Sequence, residues 1–172
     1  MFYTNKHVFQ HLVSENNVFK GCKFLSLRGV ELVGHLNFNM NSQLRHLELI
    51  DCNISEEVIE GLIRSCQSLE TLSISYDKLA PKVDFCKKVI QLICNTCVGL
   101  REATISYLIQ DEDDIQFFVD NLPTTIEKLS IRTTVLHAYR TYMFMIDDEI
   151  QGLVLRCKNL QSVELNGRER LN

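Results

Sequence analysis

The feature that most limits how this chain of 172 residues can fold is a short apolar pattern that returns six times. Each copy has apolar residues at positions 1, 4 and 6 and a polar residue at position 5, which predicts a half-buried β-strand. The copies are Cys22/Leu25/Leu27, Leu44/Leu47/Leu49, Leu69/Leu72/Ile74, Leu100/Ala103/Ile105, Ile126/Leu129/Ile131 and Leu160/Val163/Leu165. They begin 22 to 34 residues apart, a spacing typical of a protein built from repeats.

A helical pattern separates most of these strand segments, because apolar residues recur there three or four positions apart. The four stripes are Val58/Ile59/Leu62/Ile63/Cys66, Cys86/Val89/Ile90/Ile93/Cys97, Ile115/Phe118/Val119/Leu122 and Ile150/Leu153/Val154/Cys157. The apolar period therefore switches from two residues to 3.6 and back, which predicts strands alternating with amphipathic helices. A cysteine also stands three residues before position 1 at Cys66, Cys97 and Cys157, which further supports a repeat.

Helix starts and long connections can also be placed from the sequence. The segments 55–57, 111–114 and 147–149 supply capping residues and acids, which favour the first turn of a helix. Residues 75–84 predict an extended loop, and residues 135–146 predict an insertion rich in aromatic side chains.

The alternation within the strands predicts that only one face of the sheet is covered. Parallel sheets covered on both faces read as continuous apolar runs, whereas these strands alternate, as in Leu47-Glu48-Leu49. We therefore predict an α/β fold: a leucine-rich repeat solenoid, a horseshoe or right-handed β-α superhelix of about six repeats. Its parallel sheet is expected on the concave side and its helices on the convex side, over residues 22–172. Residues 1–21 are expected to form an amphipathic N-terminal cap.

The segment LRHLELIDCNISEEVIEGLIRSCQSLETLSIS carries a pattern close to LxxLxLxxCxxI, a helix and then CxxL, and IDDEIQGLVLRCKNLQSVELNG repeats its second half. Both resemble the cysteine-containing leucine-rich repeats of F-box proteins. The resemblance covers about residues 22–167 and is strongest over 44–76 and 147–165. It implies a domain that recognises a protein substrate for an SCF-type, cullin-based ubiquitin ligase.

The chain departs from that family at its start, because no F-box pattern precedes the repeats. Docking of a Skp-type adaptor and a cullin would therefore need a segment outside this sequence. Two interpretations stay open: a fragment of a longer F-box protein, or a repeat-only scaffold or inhibitor outside the ubiquitin system.

A protein partner is expected on the concave face, where strand positions 3, 5 and 7 point away from the core. Aromatic and arginine side chains carry much of the binding energy at protein interfaces. The candidate protein-binding residues are Arg28, His46, Ile50, Tyr76, Tyr107 and Arg132. Tyr76 and Tyr107 follow neighbouring strands and could form a paired anchor; the alternative is that they fold over the loop edges and pack.

Composition and charge exclude several other classes of function. A net charge of −4 gives no electrostatic basis for binding nucleic acid or an anionic membrane. No apolar run approaches the roughly 20 residues of a membrane span.

We expect no cofactor, since no phosphate-binding loop or catalytic constellation is visible. His7 and His11 are too few to hold a metal, and Asp111–Asp114 lacks the spacing of a calcium loop.

Cys94 and Cys97 form a CxxC motif, which raises the alternative of a thiol-dependent enzyme. The motif falls at a predicted helix end, where the helix dipole disfavours a thiolate, so we predict buried structural thiols and no enzyme activity. The start of the chain has no signal-peptide pattern, so the cysteines are expected to be reduced in the cytoplasm or nucleus.

Overall fold

The computed structural model describes residues 21–32, 43–76, 83–106, 108–109, 112–133 and 143–167. Its strands are β1 (Phe24–Arg28), β2 (Glu31–Leu32), β3 (His46–Ile50), β4 (Asn53–Ile54), β5 (Thr71–Ser75), β6 (Glu102–Ser106), β7 (Lys128–Thr133) and β8 (Ser162–Gly167). Its helices are α1 (Glu56–Ser65), α2 (Val83–Thr96), α3 (Glu112–Asn121) and α4 (Met143–Arg156). The expected cap at residues 1–20, Tyr107, and residues 135–142 of the expected insertion lie outside the described residues.

Six strands form one parallel sheet in the order β1-β3-β5-β6-β7-β8. Position 4 of each predicted segment pairs with position 4 of the next, in the series Leu25, Leu47, Leu72, Ala103, Leu129 and Val163. This register confirms the predicted strands and their common direction. We call each helix together with the strand that follows it a unit, so that the described units are α1–β5, α2–β6, α3–β7 and α4–β8.

A second parallel sheet of two strands pairs β2 with β4, aligning Leu32 with Ile54. The sequence pattern did not predict it, because a strand of two residues has no periodicity to detect. Both side chains are buried, so the chain that leaves β1 and β3 continues to contribute to the core.

The main sheet buries one face and leaves the other partly accessible. In β3, Leu47 and Leu49 are buried, whereas His46, Glu48 and Ile50 are half-buried. The buried strand residues form one core cluster with the apolar stripes of the helices. The helices pack in chain order, α1 on α2, α2 on α3 and α3 on α4. The molecule is therefore an α/β fold whose parallel six-stranded sheet is flanked by four described helices, an arrangement compatible with a solenoid.

The turn from helix to strand explains the recurring cysteine. In three units the N–H of position 1 donates to the carbonyl of the cysteine three residues earlier, at 3.0 to 3.1 Å: Leu69 to Cys66, Leu100 to Cys97 and Leu160 to Cys157. All three cysteine side chains are buried, so the turn places a small apolar side chain against the core. Pro123 takes this place before Ile126 in the α3–β7 unit, with a bond of 3.2 Å.

The predicted helix starts are only partly correct. α1 begins after Ser55 and carries Glu56 and Glu57 in its first turn, but the Ser55 hydroxyl makes no capping hydrogen bond. The start of α4 predicted at residues 147–149 is wrong, because that helix begins at Met143 and has no acid in its first turn. Methionine is a good helix former, so the helix extends on the N-terminal side of the acids.

Candidate functional site

The accessible side of the main sheet, opposite the helices, is the first candidate surface; we call it the open face. The strand register arranges its side chains in three rows: Phe24, His46, Thr71, Glu102, Lys128 and Ser162 at position 3; Ser26, Glu48, Ser73, Thr104, Ser130 and Glu164 at position 5; Arg28, Ile50, Ser75, Ser106 and Arg132 at position 7. Most of these side chains are half-buried or exposed, although Ser26 and Ser106 are buried. The face is therefore polar, with few apolar residues available to a partner.

Three predicted residues, Arg28, His46 and Ile50, lie on β1 and β3, a part of the open face that we call the β1–β3 corner. His46 lies at position 3, and Arg28 and Ile50 lie at position 7, at the other end of these strands. Ile50 is the direct neighbour of Arg28 across the two strands. The rings of His46 and Phe24 lie 5.9 Å apart between centroids. The two strands thus carry an apolar side chain beside a guanidinium at one end and an aromatic pair at the other, residue types that are enriched where proteins bind one another.

Glu48 organises the polar part of this corner, a role that the sequence reasoning missed. Its carboxylate accepts a hydrogen bond of 2.7 Å from the Ser26 hydroxyl and lies 3.6 Å from the Arg28 guanidinium. Arg28 is therefore not a lone surface charge. The sequence could have indicated this contact, because Ser26 and Glu48 both occupy position 5 of neighbouring strand segments, which the parallel register places side by side.

Hydroxyl side chains occupy the centre of the open face, on β5 and β6. Thr71, Ser73, Ser75 and Thr104 are all half-buried. A hydroxyl can both donate and accept a hydrogen bond, so this area can meet either kind of polar group on a partner without burying a charge. The residue types were visible in the sequence, but a cluster of hydroxyls carries no pattern that singles it out.

Arg132 lies apart from the other predicted residues, on β7. It is exposed, and β5 and β6 separate it from the corner formed by Arg28 and Ile50. Its neighbours across the strands are Ser106 and Asn166. The charged groups of this part of the sheet lie at other positions: Lys128 donates to Glu102 at 2.7 Å, and Ser130 donates to Glu164 at 3.1 Å. The six predicted residues therefore do not form one cluster.

Tyr76 is buried, with 9% of its surface exposed, so the expectation that it is an exposed anchor is wrong. Its ring packs edge-on against Phe85, with 6.1 Å between centroids. Its hydroxyl is buried without a hydrogen-bond partner, and burial raises the pKa of this phenol well above its usual value. The chain turns toward the helical layer directly after β5, which carries the ring into the core. Tyr76 therefore packs, which is the alternative stated above, and an anchor that pairs it with Tyr107 is excluded. Tyr107 itself lies outside the described residues.

The cysteines are free; six of the seven are buried, as predicted, and Cys22 is half-buried. Burial raises the pKa of Cys66 to about 11 and the pKa values of Cys94 and Cys97 to about 12. Because nucleophilic cysteine chemistry requires a thiolate, protonated thiols at neutral pH oppose the reaction that the CxxC motif raised.

The described part of the chain contains neither a cluster of metal-binding side chains nor a membrane-spanning helix. No group of three or more His, Cys, Asp or Glu side chains lies close enough together there to hold a metal ion. His7 and His11 lie outside those residues. None of the described helices has the length and apolar character that crossing a bilayer requires.

A groove of about 320 Å³ runs between α1 and α2 on the helical side. Ile59, Val89 and Leu92 line its floor, and Glu56 pairs with Lys88 at its rim. Glu60 also pairs with Arg64 there, so the charged side chains that line the groove have partners within the chain. It is a packing groove between neighbouring helices.

No protein-family model matches the chain, and no curated protein shows significant similarity to it. The relation to the repeats of F-box proteins thus stays a prediction that depends on the residues quoted for it.

Proposed function

We propose that the open face is a protein-binding surface, and that the chain is a leucine-rich repeat solenoid with this face on its concave side. Its role resembles that of the substrate-recognition part of an F-box ubiquitin ligase receptor. The observation that carries the proposal is the burial pattern of the sheet. Five strand pairs keep positions 4 and 6 aligned toward the core, while positions 3, 5 and 7 form rows of mostly polar side chains, of which all but Ser26 and Ser106 are half-buried or exposed.

The β1–β3 corner is the proposed anchor for the partner. Ile50 and the ring of His46 provide half-buried apolar area that a partner can finish covering. Arg28 and Glu48 stand beside them as charged groups with a defined geometry, which favours one orientation of the partner. The hydroxyl side chains of β5 enlarge the contact area with the partner, and burying them does not require any charged group to lose its water.

A partner captured with the native chain should depend on this corner. We would compare Ile50→Asp with Gln91→Asp, which places the same charge on the exposed side of α2. Proteins captured by the native chain and by Gln91→Asp, but lost with Ile50→Asp, are the expected ligands of the open face. If both variants capture the same proteins to the same extent as the native chain, the open face is not the binding surface.

The identity of the captured proteins separates the two versions of this proposal. A Skp-type adaptor and a cullin in the complex of the full natural product would support a role in ubiquitin ligation. A stable partner captured without them would support the alternative, a repeat-only scaffold or inhibitor. Free thiols at the described cysteines agree with a reducing compartment, the cytoplasm or the nucleus.

A further inference from the structure

The α4–β8 unit buries its apolar strand residues less than the units before it. In the described part of the chain β8 is the edge of the main sheet. Leu160, Val163 and Leu165 are only partly buried, whereas the residues at the same positions of the α3–β7 unit are fully buried. We call the surface formed by these three residues and Val154 the β8 face.

The helix of this unit shows the same difference at one equivalent position. The residue three places before the recurring cysteine is Ile63 in α1, Cys94 in α2 and Val154 in α4. Their exposed fractions are 0%, 8% and 52%. Ile63 and Cys94 each have a following helix in the row, and Val154 has none among the described residues. Val154 is therefore exposed at the helix position where a following helix covers Ile63 and Cys94 in the earlier units.

The backbone hydrogen bonds between neighbouring strands provide a third and more specific observation. At each junction between neighbouring strands, the carbonyl of position 2 in one strand segment accepts two N–H groups from the next strand segment, at 2.7 to 3.2 Å. The accepting residues are Lys23, Arg45, Glu70, Arg101 and Glu127. Gln161 holds position 2 of the α4–β8 unit, and its N–H donates to Glu127. The Gln161 carbonyl therefore holds the position that accepts two N–H groups in each of the five strand segments before it.

From these three observations we infer that the β8 face binds a further strand, parallel to β8, with apolar residues at positions 1, 4 and 6. The partner adds to the sheet edge by backbone hydrogen bonds and fills the space beside Val163 and Leu165 with its own apolar residues. This surface is separate from the open face and does not depend on its proposed function.

The carboxylate of Glu164, at position 5 of β8, restricts which residue types the incoming strand can have at its own position 5. Ser26 donates to Glu48 and Ser130 donates to Glu164, so serine beside glutamate occurs twice in this row. A strand with a hydroxyl at position 5 fits beside Glu164, whereas an acid there would place two like charges side by side.

A second copy of the chain does not fit as well in the head-to-tail arrangement that parallel pairing requires. Such stacking would place β1 of one copy against β8 of another. Leu25 and Leu27 in β1 are already fully buried, so that edge has no comparable apolar surface left to cover.

The test uses a peptide with the sequence of residues 69–75, LETLSIS, acetylated and amidated at its ends. This peptide has the apolar positions and a serine at position 5. We expect millimolar peptide to shift the backbone amide resonances of residues 161–166 in a saturable manner. The matched peptide SETSSSS, which lacks the three apolar side chains, should leave them unchanged. Equal shifts with both peptides, or no shift with either, would overturn the inference.

A variant of the edge strand provides the second measurement. The Ser162 N–H points toward β7, where it donates to Glu127, so the N–H of Val163 points away from the sheet. Val163→Pro removes that outward donor, and proline is tolerated on the outer side of an edge strand. We expect it to abolish the LETLSIS shifts while the melting midpoint stays within a few degrees of the native value. If sedimentation shows instead that the native chain self-associates and Val163→Pro does not, the occupant is a second copy and the inference is wrong.

Discussion

The α1–β5 and α4–β8 units carry the same apolar pattern but bury it to different depths. Leu69, Leu72 and Ile74 are fully buried, whereas Leu160, Val163 and Leu165 remain partly accessible. The residues are similar in size and hydrophobicity, so the difference comes from the neighbours. In a stack of this kind a unit completes its core only when another unit covers it. Burial is thus a property of position in the stack as much as of the local sequence.

The largest expected change in stability comes from truncating a leucine at position 6, and the same truncation in β3 and in β8 tests the comparison. Leu49 on β3 is buried and Leu165 on β8 is half-buried, and both hold position 6. Leu49→Ala should lower the free energy of unfolding by about 2–5 kcal/mol, because it leaves a cavity between covered units. Leu165→Ala should cost about 1 kcal/mol, since solvent already reaches part of its surface.

Urea unfolding followed by circular dichroism measures both changes. The slope of the unfolding free energy with urea should stay constant, so that the midpoints report stability alone. Equal losses for the two variants would show that β8 is as well covered as β3, and would remove the basis for a docking surface there.

The second prediction concerns Cys94, which holds in α2 the helix position that Val154 holds in α4. Burial raises the pKa of this thiol from 9.0 to about 12. The unfolded chain loses the proton at lower pH than the folded chain, so its stabilising contribution is complete below pH 9 and is lost as the pH rises toward 12. Cys94→Ala should therefore make the decline in stability shallower, by at most about 1.4 kcal/mol per pH unit in this range.

Urea unfolding at several pH values between 8 and 11 measures that slope, with Cys22→Ala as the control variant that removes a half-buried thiol. If Cys94→Ala and the native chain lose stability at the same rate, Cys94 is already accessible to water. The contrast with the exposed Val154 would then fail.

A smaller effect, of opposite sign, is expected at Tyr76. Its buried hydroxyl has no hydrogen-bond partner, and such a group costs about 1 kcal/mol or more. Tyr76→Phe keeps the edge-on contact with Phe85 and removes the hydroxyl, so stability should rise by about 1 kcal/mol. Thermal unfolding measures the change, with Tyr76→Leu as the comparison that loses the ring contact. A loss of stability with Tyr76→Phe would mean that the hydroxyl is bonded after all, to a protein group or to water.

Tyr76 also shows where prediction from the sequence stops. Strands and helices were predicted because their apolar periods are local, and the strand register followed because each segment carries the same pattern. The side to which a residue turns after a strand depends on the loop path, which has no period. The sequence placed Arg28 and Ile50 on one face correctly, and the order of the repeats already put Arg132 four strands away from Arg28. The ion pair between Arg28 and Glu48 was missed, because a side-chain contact has no period either.

The smallest expected difference in stability is between variants of the two serine–glutamate pairs, which lie at opposite ends of the position-5 row. Ser26 is buried, so Glu48→Ala removes the acceptor of a covered hydroxyl and should cost about 1 kcal/mol. Ser130 is only half-buried and Glu164 is exposed, so water can replace the carboxylate, and Glu164→Ala should change stability by under about 0.5 kcal/mol. Replicate urea titrations on one preparation resolve this difference. If Glu164→Ala costs as much as Glu48→Ala, the β8 end of the open face is as well ordered as the β1 end. The contrast between the two regions would then be limited to the apolar side of the sheet.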